Sequence, residues 1–543
     1  MSKRSQSLIA GGLTSSAGIF ICKILGIVYM PFLLSLAGST EALSFYTKAY
    51  GFYEWIMMLS LAGVPYAVAT LVAKYHGKED YKTMLLVRKL GLSVMLVLGF
   101  SMMILFMSLS GVIVQFTTSV NTSAADIQKT INVYIIVSMA LFTVPLLSGH
   151  RGFFQGIKDF KTYAFSQVLE QIARVAFMIS MGFLAVYVFQ KDGIWAVYFA
   201  VGSAAFSAVI AIIHLTFFHK SSVNEIKEMA DKQESDPVAI KPLVKEFLYF
   251  SIPFLLFAFF GNSNLIAHQL FFERTLDLRN VDVELIHVLD SMVMATTNKI
   301  TSIPQVLAVG FSPAIIPFIT EAYEKKDYEA LKKNIVDALQ TVLYICLPVC
   351  FFILVIPTEI YYVMYGKDSA LGGEVLRWAT LTGFFGTISP VCNSLMMALR
   401  FRKLNLSILI FGYILKFILI VPFIFWFGYS GDIISSAVVS LVVILFDMIV
   451  IYKNYKINFK ELVKNIGLML VALVVAFIII TLLQLSPLNV LKFSRSIGIF
   501  VLGIYGFVGL SIYFIITSYF KLPDKIFGFS LVYAFKRIIK RLK

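Results

Sequence analysis

Windows of about 20 apolar residues, each long enough to cross a bilayer, recur along the whole chain, centred near residues 22, 59, 102, 141, 176, 205, 261, 302, 347, 385, 416, 442, 474 and 507. Nothing else in the sequence narrows the fold so far. In hydrocarbon no water is present to satisfy a backbone N–H or C=O, so each window must cross as an α-helix. The expected fold class is an all-α polytopic membrane protein with fourteen transmembrane helices. Composition agrees: 59% of the 543 residues are hydrophobic and 14% are charged, where a soluble domain carries about a quarter charged residues. The first window follows Lys3 and Arg4 and runs from Leu8 to about Leu36 without a small-residue cleavage site. It reads as a first span and not as a removed signal.

The 46 Lys and Arg residues concentrate in alternate connections between the windows. Cytoplasmic connections are the basic ones, so both termini are expected inside a bacterial plasma membrane. The net charge of +15 follows from this topology, and no nucleic-acid partner is expected. The final stretch, 521–543, alternates aromatic and basic residues. That pattern suits a helix lying on an anionic leaflet and equally a basic stop after the last span.

An internal repeat sets the domain organisation. Gly63-Val64-Pro65 through Lys74-Tyr75 and Asp80-Tyr81 parallels Gly310 to Pro313 through Ala322-Tyr323 and Asp327-Tyr328. Pro145 to Arg174 likewise parallels Pro390 to Leu419. Two six-helix lobes of equal direction follow, related by a pseudo-two-fold axis along the membrane normal. The expected division is an N-lobe over 1–219, a cytoplasmic linker over 220–246, a C-lobe over 247–457, two further helices over 458–520 and the basic tail over 521–543.

Charges inside the windows carry the functional reading. On a helix from Ile286, Lys299 lies roughly 20 Å in at about 1.5 Å per residue, near the middle of a ~30 Å hydrocarbon layer. A charge at that depth costs on the order of 3 kcal/mol and marks a cavity or a partner. Lys23 sits equally deep in the first span. The two lysines either line a shared polar cavity or pair with Glu54 or Asp290. Glu170 and Arg174 stand at i and i+4 and form a structural ion pair. Lys48 and Arg377, near span ends, are expected to snorkel, and Lys416 to pair with Asp447. His268, the one histidine clearly inside a span, reads as a packing residue.

Cys22, Cys346, Cys350 and Cys392 all fall in apolar runs, which favours packing over disulfides or zinc. There is no nucleotide-binding loop, catalytic triad or HExxH motif, and Gly99, Gly111, Gly372 and Gly373 lack a strand–turn–helix setting. The expectation is a transporter without a cofactor. Two buried cations with few compensating acids imply an anionic substrate, and two helices outside the repeat offer a groove for a lipid tail.

Several stretches resemble a known family. They are Cys22-Lys23-Ile24-Leu25-Gly26, Gly63-Val64-Pro65 leading to Ala73-Lys74-Tyr75, Arg151-Gly152-Phe153-Phe154-Gln155-Gly156, Ser166-Gln167 with Glu170-Gln171 and Arg174, and Asn298-Lys299 with Pro304. They are similar to the MurJ and SpoVB branch of the MOP exporter superfamily, most of all to the YtgP-type lipid II flippases. The resemblance implies a V-shaped pair of lobes around a cationic cavity, a lipid-tail groove, and transfer of undecaprenyl-pyrophosphate-linked peptidoglycan precursor to the outer leaflet.

Carried over by position, Lys23 and Lys299 match cavity arginines of the first and eighth spans, with Asn298 beside Lys299. Tyr29 stands where a second first-span arginine would be, and nothing near Glu54 and Trp55 matches a second-span arginine. His268 stands where sodium-binding members carry an acid, so sodium coupling is not expected. His268 and Asp447 remain the residues at which an ion site would form.

Three other readings stay open. A flippase for a different lipid-linked anionic glycan would share the cavity charge. A MATE-like drug exporter would carry cavity acids for cationic substrates, and a membrane transferase would turn over lipid-linked sugar in detergent. The partners expected are the lipid-linked substrate and membrane lipids, and the protein is expected to act as a monomer.

Overall fold

The structure, a computed structural model, describes residues 21–22, 25–26, 28–118, 122–218, 220–305, 319, 322–323, 325–366 and 368–527. Among the described residues all regular secondary structure is helical. Ten helices among the described residues are long and apolar enough to cross a membrane, from Tyr81–Thr117 to Arg495–Tyr519. The expected second span is divided into Thr40–Ala62 and Val64–His76 at Gly63, and the tenth, Ser369–Ala398, is a 30-residue helix. The first span is seen as the short helix Val28–Ala37. The eighth begins as Val283–Ser291, passes a π-turn at Met292–Thr296 and stays helical through 305. Lys23, Gly310 and Pro313, and the tail beyond 527, lie outside the described residues.

The chain groups into two compact units. One holds Met1–Thr296 with Leu409–Asp432, the other Thr297–Ile408 with Ile433–Lys543. Inside the first unit helices approach through small residues, as membrane helices must when lipid supplies no hydrophobic drive for association. A Cβ on Gly152 would lie 2.7 Å from the Pro65 carbonyl oxygen, and one on Gly156 2.6 Å from Val72 Cβ. The Gly63-Val64-Pro65 and Arg151 to Gly156 motifs therefore meet each other, and their glycines serve close packing.

The polar 220–246 connection folds as the helix Lys220–Asp231 followed by a clip. Gln233 Oε1 accepts from the Lys82 amide at 3.0 Å and its Nε2 donates to Asp80 Oδ1 at 2.9 Å. Glu246 receives both Lys74 Nζ and Tyr75 OH. Burial raises the Asp80 carboxyl, but hydrogen bonds from Thr83 and Gln233 outweigh it and hold Asp80 below the usual carboxylate range.

In the second unit, the last helix, Arg495–Tyr519, is fastened to Tyr328–Val355 by polar contacts. Tyr344 OH lies 2.9 Å from Thr517 Oγ1, and Tyr513 OH donates to the Tyr344 carbonyl at 3.1 Å. Gln484 Nε2 donates to Glu359 at 2.6 Å and joins Lys460–Leu485 to the short helix Pro357–Tyr365.

Four helices end in the same way. Glu79, Lys158, Lys326 and Arg400 all adopt left-handed φ of 58°, 66°, 55° and 64°. Each amide bonds back three residues, and the following amide bonds back five, which is the Schellman closure that satisfies helix-terminal carbonyls. After three of these turns an aspartate caps the next helix: Asp80 on Thr83, Asp159 on Thr162 and Asp327 on Ala330. The twin positions named from sequence, Asp80 and Asp327, thus make the same turn for the same reason.

Candidate functional site

Lys299 is half-buried and Asn298 exposed on the helical stretch 297–305, directly after the π-turn. Such single wide turns are commonly retained at functional positions. Glu54 is half-buried on Thr40–Ala62. Tyr29 is buried and shares a 3.1 Å hydroxyl contact with Tyr46. Tyr29, Tyr46, Tyr50 and Arg174 line one small cavity with Ser203.

Arg174 belongs to a three-membered charge group. Glu170 Oε1 accepts from Arg174 at 2.5 Å and its Oε2 from Arg151 at 2.8 Å. Arg151 is further held by the Ser166 hydroxyl and carbonyl at 2.9 and 2.8 Å. Two guanidiniums on one carboxylate leave the group with one positive charge. The helical i, i+4 spacing announces Arg174, whereas Arg151 arrives from the preceding helix and has no local signal.

The densest polar constellation centres on His268. Its Nδ1 lies 2.8 Å from Asp432 Oδ2 and its Nε2 3.0 Å from Asp290 Oδ1. Lys416 Nζ donates to Asp432 Oδ1 at 2.8 Å, and Thr47 Oγ1 donates to Asp290 Oδ2 at 2.5 Å. All five side chains are buried. Carboxylates only accept, so with both acids ionised both ring nitrogens must carry hydrogen. An imidazolium and an ammonium then balance two carboxylates, and all four carboxylate oxygens are engaged.

Two expectations are corrected here. Lys416 pairs with Asp432 and not with Asp447, because Asp432 lies in the first turn of the next helix, Tyr429–Tyr455, where the helix dipole also favours an acid. Lys48 does not snorkel. It is 3% exposed and forms a 2.9 Å ion pair with Glu273, because a buried acid on Ser263–Asp277 is closer than water. Arg377 is exposed. The four cysteines are free thiols, three of them buried.

Asp447 lies in the second unit, 1% exposed, with neither carboxylate oxygen hydrogen-bonded. Among the described residues no group of three or more His, Cys, Asp or Glu side chains is arranged to hold a metal.

A family model described as "Polysaccharide biosynthesis protein" matches residues 8–277, and one described as MatE matches residues 292–421. The chain is 28% identical over 498 residues to the lipid II flippase MurJ of Bacillus subtilis (strain 168), covering 88% of this chain and 89% of that protein. In fold it is similar to a solved lipid II flippase MurJ in an inward closed conformation, with a TM-score of 0.66, 14% identity, and coverage of 93% of this chain and 98% of the other. It is similar also to an inward-facing MATE multidrug resistance transporter, with a TM-score of 0.64, 16% identity, and coverage of 80% and 95%. With both family models and a MurJ relative matched along its length, this chain belongs to the MOP superfamily, in its MurJ branch.

Proposed function

We propose that the protein is a transporter that flips a lipid-linked, pyrophosphate-bearing glycan precursor, and that its substrate is lipid II, moved from the cytoplasmic to the outer leaflet by alternating access of two six-helix lobes. The observation that carries this reading is the extended similarity to a lipid II flippase, 28% identity over 88% of the chain, together with a half-buried lysine in an apolar helix of that same chain. Lys23 and Lys299 are the cations assigned to the pyrophosphate, and Asn298, Glu54 and Tyr29 the further substrate-binding residues. Lysine presents a point charge and not a fork, so the anion is held electrostatically. The Arg151, Glu170 and Arg174 group and the His268 cluster hold helices together. The helices Lys460–Leu485 and Arg495–Tyr519 offer the tail groove, and the protein works as a monomer with both termini in the cytoplasm. A second reading, a flippase for another lipid-linked polysaccharide unit, is favoured by the family model over residues 8–277.

Depletion of the protein followed by assay of lipid II in the outer leaflet separates the two, because only the first reading predicts its loss there. At unchanged protein level, Lys299→Arg is expected to retain function, and Lys299→Ala and Lys299→Glu to lose it. Full complementation by Lys299→Ala would remove the electrostatic argument.

A further inference from the structure

Among the described residues, the acids buried in this protein have partners with one exception. Glu170 holds two arginines, Glu273 faces Lys48, Asp290 and Asp432 share His268, and Glu359 accepts from Gln484. Asp447 has none: it is 1% exposed, and both of its oxygens are buried without a hydrogen bond. It lies well inside the helix Tyr429–Tyr455, eight residues from its end. The thiol of Cys392, itself fully buried, lies in its neighbourhood. The residue beside that cysteine, Asn393, also has its side-chain oxygen buried and unbonded.

A carboxylate in such a place is shielded from bulk solvent and has no counter-charge among the described residues, and keeping it ionised is far costlier than neutralising it. We propose that Asp447 is a proton-binding site: it carries its proton in the conformation described here and gives it up when a rearrangement admits water to the carboxyl. This assignment stands on the burial and isolation of one side chain and not on the identity of the transported lipid. The arrangement differs from the His268 cluster, where His268 and Lys416 stand within hydrogen-bonding distance of the acids.

A hydrophobic carbodiimide, which attacks only protonated carboxyls, tests it on the whole protein in liposomes, with the adduct located by peptide mass spectrometry. Asp447 is expected to be labelled at pH 7 within about twofold of its labelling at pH 5.5, whereas an ordinary carboxyl such as exposed Asp231 loses about thirtyfold over that interval. Replacing potassium by sodium is expected to leave the adduct unchanged. The isosteric Asp447→Asn is expected to lose the adduct and keep the wild-type melting temperature, because the amide imitates the neutral acid. Absence of the adduct, protection by sodium, or an Asp447→Asn protein that melts well below wild type would each overturn the assignment. None of these readouts uses translocation, so their failure is distinct from failure of the proposed substrate.

Discussion

Lys48 and Glu273 illustrate how much of a buried charge can be read from one dimension. A cation inside an apolar window is visible in sequence because it interrupts the window, and Lys48, Lys299 and Lys416 were all legible in that way. Their partners were not. Glu273 and Asp432 sit near span ends, where an acid is unremarkable, and only the packing of separate helices brings them to Lys48 at 2.9 Å and Lys416 at 2.8 Å. Asp290 was legible as an intramembrane acid but not as the partner of His268. Removing one member of a buried pair strands the other, at a cost of about 3 to 5 kcal/mol. Glu273→Gln is therefore expected to lower the melting temperature of the detergent-solubilised protein clearly, and Lys48→Met with Glu273→Leu to recover most of the loss. A single Glu273→Gln variant that melts like wild type would show that the pair contributes little.

At the scale of elements, hydropathy located the membrane helices because hydrocarbon imposes their length, and among the described residues ten of the expected fourteen meet the criteria of length and apolarity. Hydropathy was blind to the break at Gly63, where Pro65 stands in the first turn of the next helix, and to the π-turn at Met292–Thr296, since neither interrupts the apolar run. The helix-ending turns were legible only as paired sequences. A non-glycine residue in the left-handed region carries a cost of roughly 1 kcal/mol, which glycine avoids. Lys158→Gly, at φ 66°, is accordingly expected to raise stability by about 0.5 to 1 kcal/mol, and Lys158→Val to lower it, both read from thermal unfolding. An unchanged melting temperature for the valine variant would contradict a strained turn at that position.

For the whole molecule, orientation and driving force are the quantities to measure. A cysteine at Ser123 is expected to react with an impermeant thiol reagent from outside, and one at Lys158 or Lys456 is not; both kinds of position are exposed, so reactivity reports the side of the membrane. Each elementary charge moved across the membrane is worth roughly 2.3 kcal/mol per 100 mV, and an outside-positive potential favours an unloaded cationic cavity facing inward. Collapse of the potential by a potassium ionophore is expected to stop flipping. Exchange of sodium for potassium at constant potential is expected to change little, because the four carboxylate oxygens around His268 are already occupied. Strict sodium dependence would contradict that account.

Residues of positive φ recur at the ends of helices among the described residues. Along the chain these positions are filled by Gly38, Glu79, Lys158, Gln190, Asn280, Lys326, Gly366, Asp368, Arg400, Gly428, Lys456 and Lys521. All of them take a positive φ, yet among the described residues the basic ones fall only in connections expected to face the cytoplasm, and the glycines only in those expected to face outward. A lysine at such a turn gives up conformational ease and gains a charge that helps orient the nascent helix pair. On the expected topology the turns hold information used once, during membrane insertion, and a chain relieved of strain there is expected to be more stable when folded and less reliably placed when made.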